Sequence, residues 1–402
     1  MAKQKALLAA VVATLSVVPQ AQALTVNLID TGGAGAGTQA RLGFEIASAY
    51  WASVFTDNVT VNLNIGFQSL GTGILGSTSS ARSLLSMNQT YSALSADRTS
   101  ALDFQAVSSL QPLGVSVLGA SFGAVSVTAN AINATNNGYL DSATRFDNDG
   151  GVNNSATAIT KASAKALGVT TDANGNAINY ASADAAITFS SNFAFDFNPT
   201  NGITAGQYDF IGVAIHEIGH ALGFVSGVDS YDGRTGPGGP NATLGTLEGF
   251  VVASQLDLFR YSAADKMDWS TSADDKFFSI DRGVSQLFGD SRMSLGRFNG
   301  DGRQASHFKD GTSCTGQLGV MDPTFCSGTL GEISALDLAA FDAIGWNLNM
   351  DVLANRGYRY TTVDAYLAYV PEPSSWTLMF PALAAAFLAT RSRRRSLPKT
   401  AA

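Results

Sequence analysis

The sequence predicts an α+β protein, and three stretches predict it. "TQARLGFEIASAYWASVF" repeats apolar residues at helical spacing, "VTVNLNIGF" alternates them at strand spacing, and "SALDLAAFDAIGWN" returns to helical spacing near the end. With 402 residues, 45% hydrophobic and 14% charged, the chain can bury one large core or two modest ones.

In the first stretch Leu42, Ile46, Tyr50 and Val54 stand four apart with Trp51 beside them, which makes one stripe of an amphipathic helix. It stops at Thr56-Asp57-Asn58. The second stretch sends Val59, Val61, Leu63, Ile65 and Phe67 to one face, as a half-buried strand does. Between 70 and 180 the spacing predicts helices over 83–96 and 156–166 and strands over 104–107 and 115–127. "AAITFSSNFAFDF", 185–197, reads as a strand or hairpin arm ending at the turn Asn198-Pro199.

Residues 208–224 have helical spacing, and Gly223 stands where the helix end needs a left-handed residue. A Gly/Pro-rich loop follows. Near the end Ser334 is a helix N-cap with Asp337 three residues on, Leu338, Phe341 and Ile344 share a face, and Gly345 is the stop. No fixed-period repeat or Pro/Ser linker divides the body, so one domain is expected over 24–350, with a linker over 351–370.

Both ends read as sorting segments. Residues 1–23 place Lys3 and Lys5 before an apolar run, then Ala21-Gln22-Ala23, the pattern of a cleavable signal peptide. Residues 371–398 join Pro-Glu-Pro, an apolar stretch over 376–389 that reads as a transmembrane helix, short for a stable span and interrupted by Pro381, which a helix in lipid tolerates, and Arg391, Arg393, Arg394 and Arg395, which favour the cytoplasmic side. This tripartite end resembles the PEP-CTERM sorting signal of exosortase-bearing Gram-negative bacteria. The resemblance implies signal peptidase and exosortase as partners during export, transient membrane association, and a product that is secreted or held in the cell envelope.

Without 1–23 and 371–402 the body keeps 17 Lys and Arg against 31 Asp and Glu. So acidic a surface repels nucleic acid and anionic lipid. Cys314 and Cys326 are the two cysteines, and in an oxidising compartment they are expected to form a disulfide.

The chemistry concentrates in "AIHEIGHALGF". His216 and His220 lie one helical turn apart and can reach one ion, while Glu217 can address water at that ion. Zinc suits such imidazole ligands, with Glu217 as general base and acid. A third protein ligand is needed, and the residues leave His307, Asp229 and Glu248 as candidates.

The stretch resembles the metzincin pattern HExxHxxG, in which a third His, or in some short members Asp, follows three residues past the Gly. Here Ser226 stands there, and a serine hydroxyl is a poor zinc ligand. His307, in "QASHFKDGTSCTGQLGVMDPTF", is followed by Val320-Met321-Asp322-Pro323, which resembles the leishmanolysin-like branch, with its distant third His and methionine turn. Phe308 replaces the Trp usual after that His.

The resemblance covers about 185–346. It implies a mixed sheet, an active-site helix and a C-terminal helix after the Met-turn. It also implies zinc on His216, His220 and His307, Glu217 as the catalytic residue, and Met321 as the floor beneath the imidazoles. The implied activity is an exported zinc-dependent endopeptidase for protein or peptide substrates. The cleft is expected beneath an edge strand from 185–197.

The alternative is a non-catalytic surface or extracellular-matrix protein, adhesive or structural, on the same scaffold; the presence of Glu217 favours the enzyme. Asp147, Asp149 and Gly150 carry part of a calcium-loop pattern, as do Asp229 and Asp232. Each lacks a full ligand set and a distal Glu, so solvated turns are expected.

Overall fold

The computed structural model describes residues 24–132, 140–236, 239–242, 246–311, 314 and 316–370. The expected signal peptide, 1–23, and sorting tail, 371–398, lie outside them. Among the described residues no helix is long and apolar enough to cross a membrane.

The alternating strand Thr60–Gln68 is interior to a four-stranded mixed sheet, in the order Thr25–Gly32, Thr60–Gln68, Ala185–Ser190, Gly76–Ser80. The first three are parallel and the last is antiparallel to its neighbour. Val61, Leu63 and Ile65 are buried, as the alternation requires. Two neighbouring parallel strands need a crossover, and helix Gln39–Val54 supplies it, its first turn capped by the Thr38 hydroxyl.

That helix packs on the histidine helix, Phe210–Leu222. Gly43 permits the approach, because a Cβ there would stand 2.3 Å from Phe210 Cδ1. Trp51 Nε1 donates to Ile215 O at 3.0 Å, and Phe44, Phe189 and Phe210 pack ring against ring. The fold class is therefore α+β, with several smaller sheets around the main one.

Several elements differ from the sequence expectation. The helix expected over 83–96 is a strand, Arg82–Ser86, followed by helix Met87–Asp97. The change falls at Ser86, whose hydroxyl and Gln89 form a capping box. Residues 104–107 belong to helix Ala101–Ser108, where the Ser100 and Asp103 capping box prevails over β-forming side chains. Over 115–127 the backbone is irregular with short turns, and the strand starts only at Val127–Ile132, paired with Leu140–Asp147. Residues 156–166 divide at Thr160, which ends strand Ala156–Thr160 and caps helix Lys161–Ala166.

Two corrections bear on function. The stretch 185–197 does not supply the edge of the main sheet: Ala185–Ser190 is flanked on both sides and Gly76–Ser80 ends that sheet, while Phe195–Asp196 pairs, among the described residues, only with Tyr208–Asp209. Nor is 351–370 a linker. Strand Arg359–Thr361 pairs with Glu332–Ser334, and helix Thr362–Tyr369 packs on Gln39–Val54. The Thr362 hydroxyl donates to Asp209 Oδ2 at 2.5 Å, which ties this segment to the N-cap of the histidine helix.

Residues 227–306 form an excursion with its own antiparallel sheet, in the order Lys266–Met267, Arg260–Ala263, Lys276–Phe278, Arg292–Met293. At its end Ser294 N donates to His307 O at 3.0 Å and Lys309 N to Arg292 O at 2.8 Å. The excursion thus returns the chain at residue 307.

Candidate metal centre

Asp209 starts the histidine helix by accepting from Gly212 N at 3.0 Å, and its negative charge complements the positive end of the helix dipole. Gly223, at φ +126°, ends it, and a Cβ there would lie 2.3 Å from Ser163 Oγ. The turn therefore needs glycine for conformation and for space.

Three imidazoles meet beside this helix. The Nε2 atoms of His216, His220 and His307 lie 3.0, 3.1 and 3.2 Å apart, pair by pair. Each Nδ1 faces a backbone carbonyl: His216 faces Val320 O at 2.7 Å, His220 faces Phe224 O at 2.6 Å and His307 faces Gln304 O at 3.1 Å. A carbonyl only accepts, so each Nδ1 carries the proton and each Nε2 presents a lone pair. Burial pushes the His216 pKa down to about 3 and that of His220 to about 4, and holds His307 well below the usual range. Three neutral rings thus aim three lone pairs at one point, an arrangement that repels itself unless a cation takes them. Tetrahedral bonds of about 2.0–2.1 Å to nitrogen space the ligands roughly 3.3 Å apart, close to what is seen.

Ser226, where the contiguous pattern would put a ligand, has another task. Its backbone N donates to Ser306 Oγ at 2.8 Å, and Ser306 Oγ donates to Asp229 Oδ2 at 2.5 Å. Asp229 Oδ1 also accepts from Ala305 N at 2.7 Å. Of the candidate third ligands, then, Asp229 fastens the segment that carries His307, Glu248 belongs to a different cluster with Asp147 and Asp149, and His307 reaches the pair. Asp232 accepts from Phe298 N at 2.9 Å and Asn299 N at 2.7 Å, so the Asp229 and Asp232 carboxylates are occupied by the chain itself.

Met321 is fully buried against Gly219, where a Cβ would come within 2.6 Å of its Sδ. Asp337 holds this turn in a way the sequence did not reveal. Beyond its box with Ser334, it accepts from Val320 N at 2.9 Å and Met321 N at 3.0 Å. Cys314 and Cys326 are bonded to each other, closing a loop around the turn.

Glu217 Oε2 accepts from Thr78 Oγ1 at 2.7 Å. Burial raises the Glu217 pKa to about 7, with Thr78 opposing the rise. Thr78 and Gly76 belong to the edge strand, and a Cβ on Gly76 would stand 2.5 Å from Glu217 Oε1. Neither residue was singled out from the sequence, because "GSTSS" shows no apolar alternation. The three histidines, Glu217, Thr78 and Arg303 line a cleft of about 710 Å3.

No family model, no curated protein and no solved structure matches this chain.

Proposed function

We propose that the protein is a zinc-dependent endopeptidase of metzincin type, with His216, His220 and His307 as ligands and Glu217 as general base and acid. The observation that carries the reading is the convergence of three unprotonated Nε2 atoms beside a buried carboxylate in an open cleft. A zinc ion bound there would supply Lewis-acid polarisation of a carbonyl and acidify a water molecule to a pKa of about 7.

The chain's own groups do the rest. A carboxyl near pKa 7 can take a proton at one oxygen and return it to a leaving amine, since either form is accessible at neutral pH. Thr78 holds Oε2, so Oε1 is the oxygen presented to the proton. The outer edge of Gly76–Ser80 offers backbone groups to which an extended peptide adds as a further strand. Met321 packs as an apolar floor, and Asp337 fixes it.

The test is hydrolysis of casein or a fluorogenic peptide library. Activity should vanish with a chelator, return with zinc, and fall at least about 100-fold in kcat for Glu217→Gln. Undiminished hydrolysis by Glu217→Gln would remove the mechanism. Absence of hydrolysis across the library would favour the non-catalytic alternative. Export and sorting of the product remain part of the proposal, resting on 1–23 and 371–398.

A further inference from the structure

The turn after strand Leu140–Asp147 reads Asp147-Asn148-Asp149-Gly150-Gly151-Val152-Asn153. Of the expected solvated turn without a distal glutamate, Asn148 and Asp149 keep the exposure, and the rest differs. Asp147 and Asn153 are 0% exposed, and Glu248 approaches from the 227–306 excursion. One carboxylate oxygen each from Asp147, Asp149 and Glu248 fall within 4.8 Å of one another.

The hydrogen bonds leave a specific set of oxygens over. Arg145 Nη2 donates to Asp147 Oδ2 at 2.8 Å and also to Glu248 Oε1. The opposite oxygens, Asp147 Oδ1 and Glu248 Oε2, are buried without a partner, and so is Asn153 Oδ1. Asn153 Nδ2 donates to Asp147 Oδ2 at 2.9 Å, which fixes the amide, because the reverse orientation would set two acceptors face to face. Asn153 Oδ1 and Asp149 Oδ1 each lie 3.0 Å from the point a Cβ would take on Gly151, and Glu248 O lies 3.6 Å from it. Oxygens converge on a space that a side chain at 151 would fill.

Charge agrees with the geometry. Three carboxylates face one guanidinium, a surplus of two negative charges, and buried acceptors without donors are costly. An all-oxygen donor set suits a hard divalent cation, and the irregular mixture of carboxylates, an amide and a carbonyl suits the flexible shell of calcium better than the strict octahedron of magnesium.

We propose that Asp147, Asp149, Asn153 and Glu248 form a calcium site, separate from the histidine centre, that ties the 227–306 excursion to strand Leu140–Asp147. The excursion also meets that strand where Gly236 N donates to Leu140 O at 2.9 Å. Calcium therefore staples the base of the segment that delivers His307.

The experiment is calcium titration of the purified full-length chain by calorimetry, with thermal unfolding in parallel. Neither readout requires peptidase activity. Wild type should bind calcium with Kd below about 1 mM and unfold several degrees higher at about 10 mM calcium, with magnesium at least about 10-fold weaker. Asp149→Asn, at an exposed position, and Glu248→Gln should lose the calcium shift while keeping the calcium-free Tm within about 2 °C. Should Glu248→Gln not fold, Asp149→Asn alone decides. Absence of binding heat and Tm rise in wild type, or an undiminished shift in Asp149→Asn, would overturn the site.

Discussion

Asp337 shows how one residue can serve two elements. It caps the helix Ala335–Ala343 and accepts from the backbone amides of Val320 and Met321. Burial raises its pKa to about 6 against those hydrogen bonds. A carboxyl raised in the folded state binds a proton that the unfolded chain has released, so its contribution is fully present below about pH 4 and lost as pH rises through 6. Relative to Asp337→Asn, wild type should therefore lose on the order of 2 kcal/mol between pH 4 and pH 7, measured by denaturant unfolding at each pH. Gly76 makes a second case. Gly76→Ala would press a methyl against Glu217 Oε1, and kcat should fall about 10-fold or more with little change in Tm. His216 and His220 were legible because their four-residue spacing puts both on one helix face, with Glu217 offset beside them. Thr78 and Gly76 were not, since nothing local in a small polar run says which helix it will border.

Among the elements, strong periodicity survived and weak periodicity did not. The stripe of Gln39–Val54 and the alternation of Thr60–Gln68 each bury one face, and tertiary packing reinforces the local signal. Between 80 and 166 two strand–helix junctions pivot on a single hydroxyl cap, Ser86 and Thr160, and the window that finds periodicity runs straight across them. The histidine helix depends on its own cap more than most. Asp209 accepts from Gly212 N, from Gly331 N at 2.9 Å and from the Thr362 hydroxyl, all buried. Asp209→Ala should destabilise the protein by about 3 kcal/mol, read by chemical denaturation, because it removes the cap and strands two buried amides.

At the scale of the whole molecule, the long excursion and the end of the body are where sequence reasoning ran short. That His307 returns to the helix was suggested by a short pattern around it. What returns it, the pairing of 294 and 309 with their neighbours and the Ser226, Ser306 and Asp229 chain, involves residues far apart in sequence. Residues 351–370 were expected as a linker because they lack a long periodic run, yet they close the sheet at Glu332–Ser334 and fasten Asp209. A chain ending at residue 350 should unfold about 5–10 °C lower in a thermal scan. The central claim is that one divalent ion joins His216 and His220 to a ligand brought back by the excursion. Its most direct measurement is zinc per chain, by mass spectrometry, for wild type and His307→Ala after dialysis. One equivalent in wild type and under about a tenth in the variant is the predicted result. A full equivalent retained by His307→Ala would contradict it.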